Sequence, residues 1–82
     1  MTLAEHAQGA DPRREILADL GSRIREERKQ QGVTQAELAE LLDLSVAYVS
    51  LIERGGRNPP YTTVVEIARA LRVPTSRIVA GS

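Results

Sequence analysis

The chain has 82 residues, a length that allows one small domain with a single hydrophobic core. Hydrophobic residues make up 41% of it, which is typical of a folded protein, and the 2% aromatic content indicates an aliphatic core. Eleven basic residues balance eleven acidic ones. The chain has no cysteine, which excludes a disulfide framework and a thiolate metal site, and we expect no metal and no cofactor.

The first ten residues are polar and show no periodicity, and we predict that residues 1–10 form a flexible tail. Residues 11–82 are predicted to form a single domain. Asp11 and Pro12 are typical of a helix start, because aspartate caps the exposed amides and proline suits the first turn. We expect this first helix to end at Gly32.

Three apolar residues at four-residue spacing, Ile16, Leu20 and Ile24, form the predicted buried stripe of the first helix. Gly21 interrupts the helix and costs up to about 1 kcal/mol relative to alanine, so we expect a bend or a new segment there. Arg28 continues the stripe by four more residues. This position places a guanidinium group against the interior and calls for a carboxylate partner.

Two short helices follow. Thr34 and Glu37 have the spacing of a capping box and predict the start of the second helix, which ends near Leu42. After a two-residue connection, Ser45 is placed to cap a third helix. Two helices joined by so short a turn are typical of a helix-turn-helix unit.

The last third of the chain predicts two more helices. The fourth begins near Pro60, and Pro74 prevents its continuation, so residues 75–80 form at most a final turn or two. Its predicted buried face carries Val64, Ile67, Ala68 and Leu71. Residues 54–82 hold five arginines and one glutamate, which predicts a basic surface on a neutral chain. The fold class is therefore all-α, with about five helices and no strand.

The segment QAELAELLDLSVAYVSLIER, Gln35 to Arg54, resembles a DNA-binding helix-turn-helix. Five bulky apolar residues and one small one lie where two crossing helices need them: Leu38, Leu42, Leu44, Val49, Ile52 and Ala39. Two further motifs, Gly32-Val33-Thr34-Gln35 and Glu53-Arg54-Gly55-Gly56-Arg57-Asn58-Pro59, are similar to those of the phage-repressor-like (Cro/C1 or XRE) family. The likeness extends from Leu20 to Val79 and implies a lambda-repressor-like DNA-binding domain.

The resemblance also implies roles for single residues. Where the family usually has glycine in the turn, this chain has Asp43, which tolerates the left-handed conformation better than most residues. The family pairs an arginine at the position of Arg28 with the glutamate of the Glu-Arg-Gly loop, so Glu53 is the expected partner. The alternative is that Arg28 is solvated among neighbouring charges. Because the family has an aliphatic residue at Tyr61, we expect that side chain to pack in the core.

The family's base-contacting positions correspond to Val46, Ala47, Ser50 and Leu51. If Val49 and Ile52 are buried, the helical repeat turns this group outward. Three of the four lack a hydrogen-bonding group, so we expect sequence preference to rest on thymine methyl contacts, on serine and on DNA shape. The alternative is an apolar face that binds another protein.

Phosphate contacts are expected on both sides of the third helix, from Thr34, Gln35, Tyr48, Arg54, Arg57 and Asn58. Gln35 begins a helix, where amides attract an anion. The stretch YVSLIERGGRNPP is similar to controller proteins of restriction-modification systems, which favours Tyr48 as a polar contact.

One such unit contacts only half of a palindromic operator, so the expected state on DNA is a homodimer. The interface candidates are Leu71, Val73, Ile78 and Val79, which serve equally well to close the core of the monomer.

The function that these expectations favour is sequence-specific binding of double-stranded DNA by a dimeric transcriptional repressor, with the helix from Ser45 to Glu53 in the major groove. The alternative is a protein-interaction module, such as an antitoxin-like subunit. An enzyme is not expected, because the chain shows no nucleophile with a base, no phosphate loop and no metal cluster. No apolar run reaches the roughly 20 residues of a membrane span and no signal peptide is visible, so we expect no membrane partner and a cytoplasmic location. We also expect no small-molecule ligand.

Overall fold

A computed structural model describes residues 11–79 as five α-helices, without a strand in that range. They are α1 (Pro12–Gln30), α2 (Gln35–Leu42), α3 (Val46–Glu53), α4 (Tyr61–Ala70) and α5 (Thr75–Ile78). The predicted all-α fold is confirmed. The predicted tail, residues 1–10, and the end of the last predicted turn lie outside the described residues. None of the helices within 11–79 combines the length and apolar character that crossing a lipid bilayer requires.

Side-chain caps determine where the first three helices begin. The Asp11 carboxylate accepts a hydrogen bond from a first-turn amide of α1 at 3.0 Å. Thr34 and Glu37 form the predicted capping box, with bonds of 3.0 Å from the Glu37 amide and 2.8 Å from the Thr34 amide. The Ser45 hydroxyl accepts from the Tyr48 amide at 3.0 Å. Each cap stabilises its helix by about 1 kcal/mol, so these three starts follow from local sequence.

The first four helices all end in the same kind of turn. A residue with positive φ stops each helix, and the amide of the next residue donates to the carbonyl five residues earlier, at 2.8 to 3.0 Å. The four residues, with their φ angles, are Gly32 (70°), Asp43 (57°), Gly55 (77°) and Arg72 (59°). Asp43 adopts the left-handed conformation that its position in the turn requires. Arg72 has the same conformation without any residue-type signal for it.

The helices enclose one aliphatic core. Helix α1 packs on α3 and α5, α2 packs on α3 and α4, and α4 packs on α5. The buried hydrophobic residues are Ile24, Leu38, Ala39, Val49, Ile52, Val64, Ile67, Ala68, Leu71 and Ile78. Leu42 and Leu44 are half-buried against them. All six residues expected under the crossing of α2 and α3 therefore contribute to the core.

Helix α1 continues unbroken through Gly21, where a bend or a new segment was one expectation. A Cβ atom at this position would lie 2.3 Å from the Ile52 carbonyl oxygen and 2.5 Å from that of Glu53. Both distances are far below van der Waals contact. Gly21 thus lies at a close approach of the backbones of α1 and α3, and its lack of a side chain permits that approach.

The prediction that Tyr61 packs in the core is wrong, because the side chain is 75% exposed. Pro59 occupies a buried position just before it, and Tyr61 begins α4 on the surface. Ile16, part of the predicted buried stripe, is also exposed, at 64%. The buried positions of α1 begin at Gly21, where α3 crosses, and Ile16 lies more than one turn before that crossing.

The prediction that Leu71 and Ile78 belong to a dimer interface is also wrong. Both side chains are fully buried within the protomer. Helix α5 packs on α1 and α4 and so covers them. These two residues close the core of the monomer, which was the alternative for this group.

Candidate nucleic-acid interface

A buried ion pair joins α1 to the end of α3. Arg28 Nε donates to Glu53 Oε2 at 2.6 Å, and Arg28 Nη2 donates to Glu53 Oε1 at 3.0 Å. The remaining terminal nitrogen, Nη1, donates to the carbonyl of Val33 at 2.8 Å. Both charged residues are buried, and the bidentate geometry is the strongest arrangement for such a pair. The pair that the resemblance implied is therefore present.

Gln35 is the third member of this network, which sequence reasoning did not predict. Its side-chain Nε2 donates to Glu53 Oε1 at 2.9 Å, so one carboxylate links α1, the start of α2 and the end of α3. One N–H of the side-chain NH₂ group is thus engaged inside the protein. If Gln35 contacts a phosphate, the donors for it are the second N–H of this group and the backbone amide in the first turn of α2.

Helix α3 has one buried side and one exposed side. Val49 and Ile52 are each 2% exposed and face the core, as predicted. On the other side, Val46 is 46% exposed and Ala47 is exposed too. The other two candidate base-contacting residues, Ser50 and Leu51, are half-buried. The N-terminal half of α3 is consequently the part most open to a ligand.

The candidate phosphate-contacting residues surround this face. Arg54, Arg57 and Asn58 follow α3 and are exposed, and Arg54 Nε donates to the Ser50 carbonyl at 3.4 Å. The Thr34 hydroxyl oxygen accepts the capping bond, which leaves its hydrogen able to donate. Tyr48 is half-buried against the core. Helix α3 is therefore flanked by polar donors at both ends.

The structure has a second surface feature, and Asn58 belongs to its lining. A groove of about 670 Å³ runs between α1, residues 58–61 and α5, and its lining includes Ile16, Tyr61 and Val79. All three are exposed. Val79 was an interface candidate, and the groove makes it one member of a larger apolar surface. Val73, the fourth candidate, is half-buried against the core.

Comparison with known proteins identifies the family. The helix-turn-helix family model matches residues 24–78, more than half of the chain. The immunity repressor protein of Bacillus phage phi105 is 42% identical over 60 residues, which cover 73% of this chain and 42% of the repressor. The chain therefore spans less than half the length of that relative.

Two solved structures extend the likeness to three dimensions. The restriction-modification controller protein C.AhdI from Aeromonas hydrophila has a TM-score of 0.73 and 35% identity, covering 76% of this chain and 94% of that one. The biofilm master regulator SinR, solved in complex with DNA, has a TM-score of 0.67 and 32% identity, covering 72% of this chain and 95% of that one. This chain therefore belongs to the helix-turn-helix family of DNA-binding transcriptional regulators, in its Cro/C1 branch.

Proposed function

We propose that this chain binds double-stranded DNA sequence-specifically and represses transcription as a homodimer on a palindromic operator. The observation that carries the proposal is the two-sided arrangement of α3. Its inner side is anchored by Val49, Ile52 and the Glu53 network, and its outer side is open. SinR, one of its structural relatives, was solved in complex with DNA.

In this proposal α3 enters the major groove, which is about 12 Å wide and admits one helix. Val46 and Ala47 then meet thymine methyl groups, and the Ser50 hydroxyl bonds to a base edge. None of these side chains makes the bidentate contact that distinguishes guanine or adenine most sharply. Sequence preference therefore depends on the sum of methyl contacts and on the shape and deformability of the duplex.

The flanking donors hold α3 in place on the DNA backbone. The start of α2 presents amides and the Thr34 hydroxyl to a phosphate on one side. Arg54, Arg57 and Asn58 contact phosphates on the other, and Tyr48, which lies within α3 itself, contributes its hydroxyl. These contacts fix orientation and supply affinity, and they carry no sequence information.

Two copies are needed because one α3 contacts only half a site. A two-fold dimer places the two recognition helices about 34 Å apart, in successive major grooves. The surface that we propose for the second copy is the apolar groove with Ile16, Tyr61 and Val79, which the protomer itself leaves exposed. Bound across a promoter, such a dimer represses by excluding other proteins, and no catalytic step is needed.

The salt dependence of binding tests this function directly. DNA binding releases counterions, so the affinity for a duplex should fall steeply between 50 and 200 mM salt, by several orders of magnitude if about six or more phosphates are contacted. The competing function, a protein-interaction module, draws on the exposed apolar residues Val46 and Ala47. An apolar protein contact would not weaken in the same way. Affinity for duplexes that is absent or insensitive to salt would favour that alternative.

A further inference from the structure

A cleft of about 620 Å³ opens where the end of α1, the start of α2 and the end of α3 meet. Its lining includes four cationic side chains: Arg25, Arg28 and Lys29 of α1, and Arg54 after α3. Thr34 and Ser50 line it too, and both belong to the proposed DNA-binding face. The cleft is therefore continuous with that face and adds two cations that lie on a different helix.

The positive charge of the cleft is not balanced within the described part of the chain. The one carboxylate in its lining is Glu53, which is already bonded to Arg28 and Gln35. Salt bridges within residues 11–79 join Arg23 to Asp19, Arg28 to Glu53 and Arg77 to Glu27. Arg25, Lys29 and Arg54 take part in none of them. All three are exposed, so their charges remain available to a ligand.

The spacing along α1 brings two of these charges together. Arg25 and Lys29 are four residues apart, so they lie one above the other on the same side of the helix, where like charges repel. An anion bound between them relieves that repulsion. Arg28 lies between them in sequence, but it is buried, its charge is paired with Glu53, and three of its five N–H donors are engaged by Glu53 and Val33.

We propose that this cleft binds a phosphate of the DNA backbone, with Arg25 and Lys29 as contacts in addition to those already assigned. The inference rests on the proposed function, because the ligand is the backbone beside the groove that α3 enters. Ser50 fixes the location, since it lines the cleft and also lies on the outer part of α3. Helix α1 thus acts as a third point of attachment to the duplex.

The test is the double variant Arg25→Gln/Lys29→Gln, measured against Arg13→Gln/Arg14→Gln as a matched control. The control removes the same charge from the same helix, at positions more than about 15 Å along the helix axis from Arg25 and Lys29. Charges at that separation are screened at physiological salt, where the Debye length is about 8 Å. The wild-type chain and both variants are titrated with the same duplexes at several salt concentrations. Thermal unfolding of each variant shows that it is folded.

The expected result is a shallower salt dependence for Arg25→Gln/Lys29→Gln, with the slope of log affinity against log salt smaller by about 0.9 for each phosphate that the variant no longer neutralises. All duplexes should be weakened by the same factor, and the control should match the wild type. Equal slopes for the two double variants would overturn the inference while the proposed function stands. A wild-type chain that binds no duplex would overturn both.

Ethylation interference on a bound duplex gives an independent readout. For the wild type, ethylation of a phosphate beside each half-site should block binding, because the ethyl group removes the charge that Arg25 and Lys29 contact. For Arg25→Gln/Lys29→Gln, ethylation of that same phosphate should have no further effect, while the other sensitive phosphates stay sensitive. An unchanged interference pattern in this variant would contradict the assignment.

Discussion

Glu53 is the single residue on which the geometry of the candidate interface most depends. Its two carboxylate oxygens accept three hydrogen bonds, from Arg28 Nε and Nη2 and from Gln35 Nε2, and its side chain is 1% exposed. An ion pair removed from water contributes little net stability, but losing one partner leaves the other charge buried and unpaired. Because of this asymmetry, removing Glu53 should cost far more stability than the intact pair contributes.

We expect Glu53→Ala to lower the free energy of unfolding by about 3 to 5 kcal/mol. In a domain of this size each kcal/mol lowers Tm by about 4 to 8 °C, so thermal unfolding measures the effect easily. The control is Asp19→Ala, which breaks the pair with Arg23. The side chains of Asp19 and Arg23 are 47% and 44% exposed, and Arg23 Nε lies 2.9 Å from Asp19 Oδ2. That change should stay within about 0.5 kcal/mol. Equal effects of the two substitutions would show that the buried pair is not structural.

Roles that depend on residue type and spacing could be predicted from the sequence. The position of Arg28 on an apolar stripe demanded a carboxylate, and the family resemblance supplied Glu53. Gln35 was expected to contact phosphate because it begins a helix. No local signal indicates that its side chain turns inward to Glu53, 18 positions away. Tyr61 was misjudged as well, since the buried residue just before α4 is Pro59 and Tyr61 lies on the surface.

At the scale of helices, the crossing of α1 and α3 sets the position of the candidate recognition helix. Gly21 permits this crossing, and sequence reasoning interpreted it only as a weak point in α1. Helix propensity is a local property, whereas the need for a glycine arises from a backbone more than 30 residues away. The caps of α1, α2 and α3 were predicted because they depend on residues within one turn.

We expect Gly21→Ala to destabilise the fold by about 1 to 3 kcal/mol, the usual cost of overpacking. Helix propensity alone predicts the opposite, a gain of up to about 1 kcal/mol. The matched control is Gly56→Ala, where the nearest atom is the flexible Leu51 Cδ2 at 3.3 Å and the change should cost less. Chemical denaturation of both variants distinguishes the two accounts, since a more stable Gly21→Ala would contradict the close approach of the helices.

At the end of α4, the same substitution to glycine is expected to have opposite effects on stability at two positions. Arg72 has φ of 59°, which is strained for a residue with a side chain, so Arg72→Gly should stabilise the protein by up to about 1 kcal/mol. Arg69 lies within the last turn of α4, and Arg69→Gly should destabilise by about 1 kcal/mol. Urea unfolding measures both. Destabilisation of similar size at the two positions would mean that Arg72 is not strained.

For the whole molecule, the sequence indicated a basic surface within residues 54–82, but the structure also brings Arg54 together with Arg25 and Lys29 in one cleft. A segment-by-segment charge count misses it, because folding brings α1 and the end of α3 together. The residues proposed for the dimer interface also differ from those predicted, because folding decides which apolar residues stay exposed. Helix α5 packs inward and buries Leu71 and Ile78, while the groove that includes Ile16 and Tyr61 stays open.

Selection from random duplexes tests most directly whether α3 enters the major groove. The wild-type chain should enrich a two-fold symmetric sequence with half-site centres about 10 base pairs apart. Ala47→Asn should change the preferred base within each half-site, because asparagine bonds in bidentate fashion to adenine, and Arg57→Ala should weaken all sequences alike. If the wild type and both variants recover the same sequence, or none, α3 is not the element that contacts the bases.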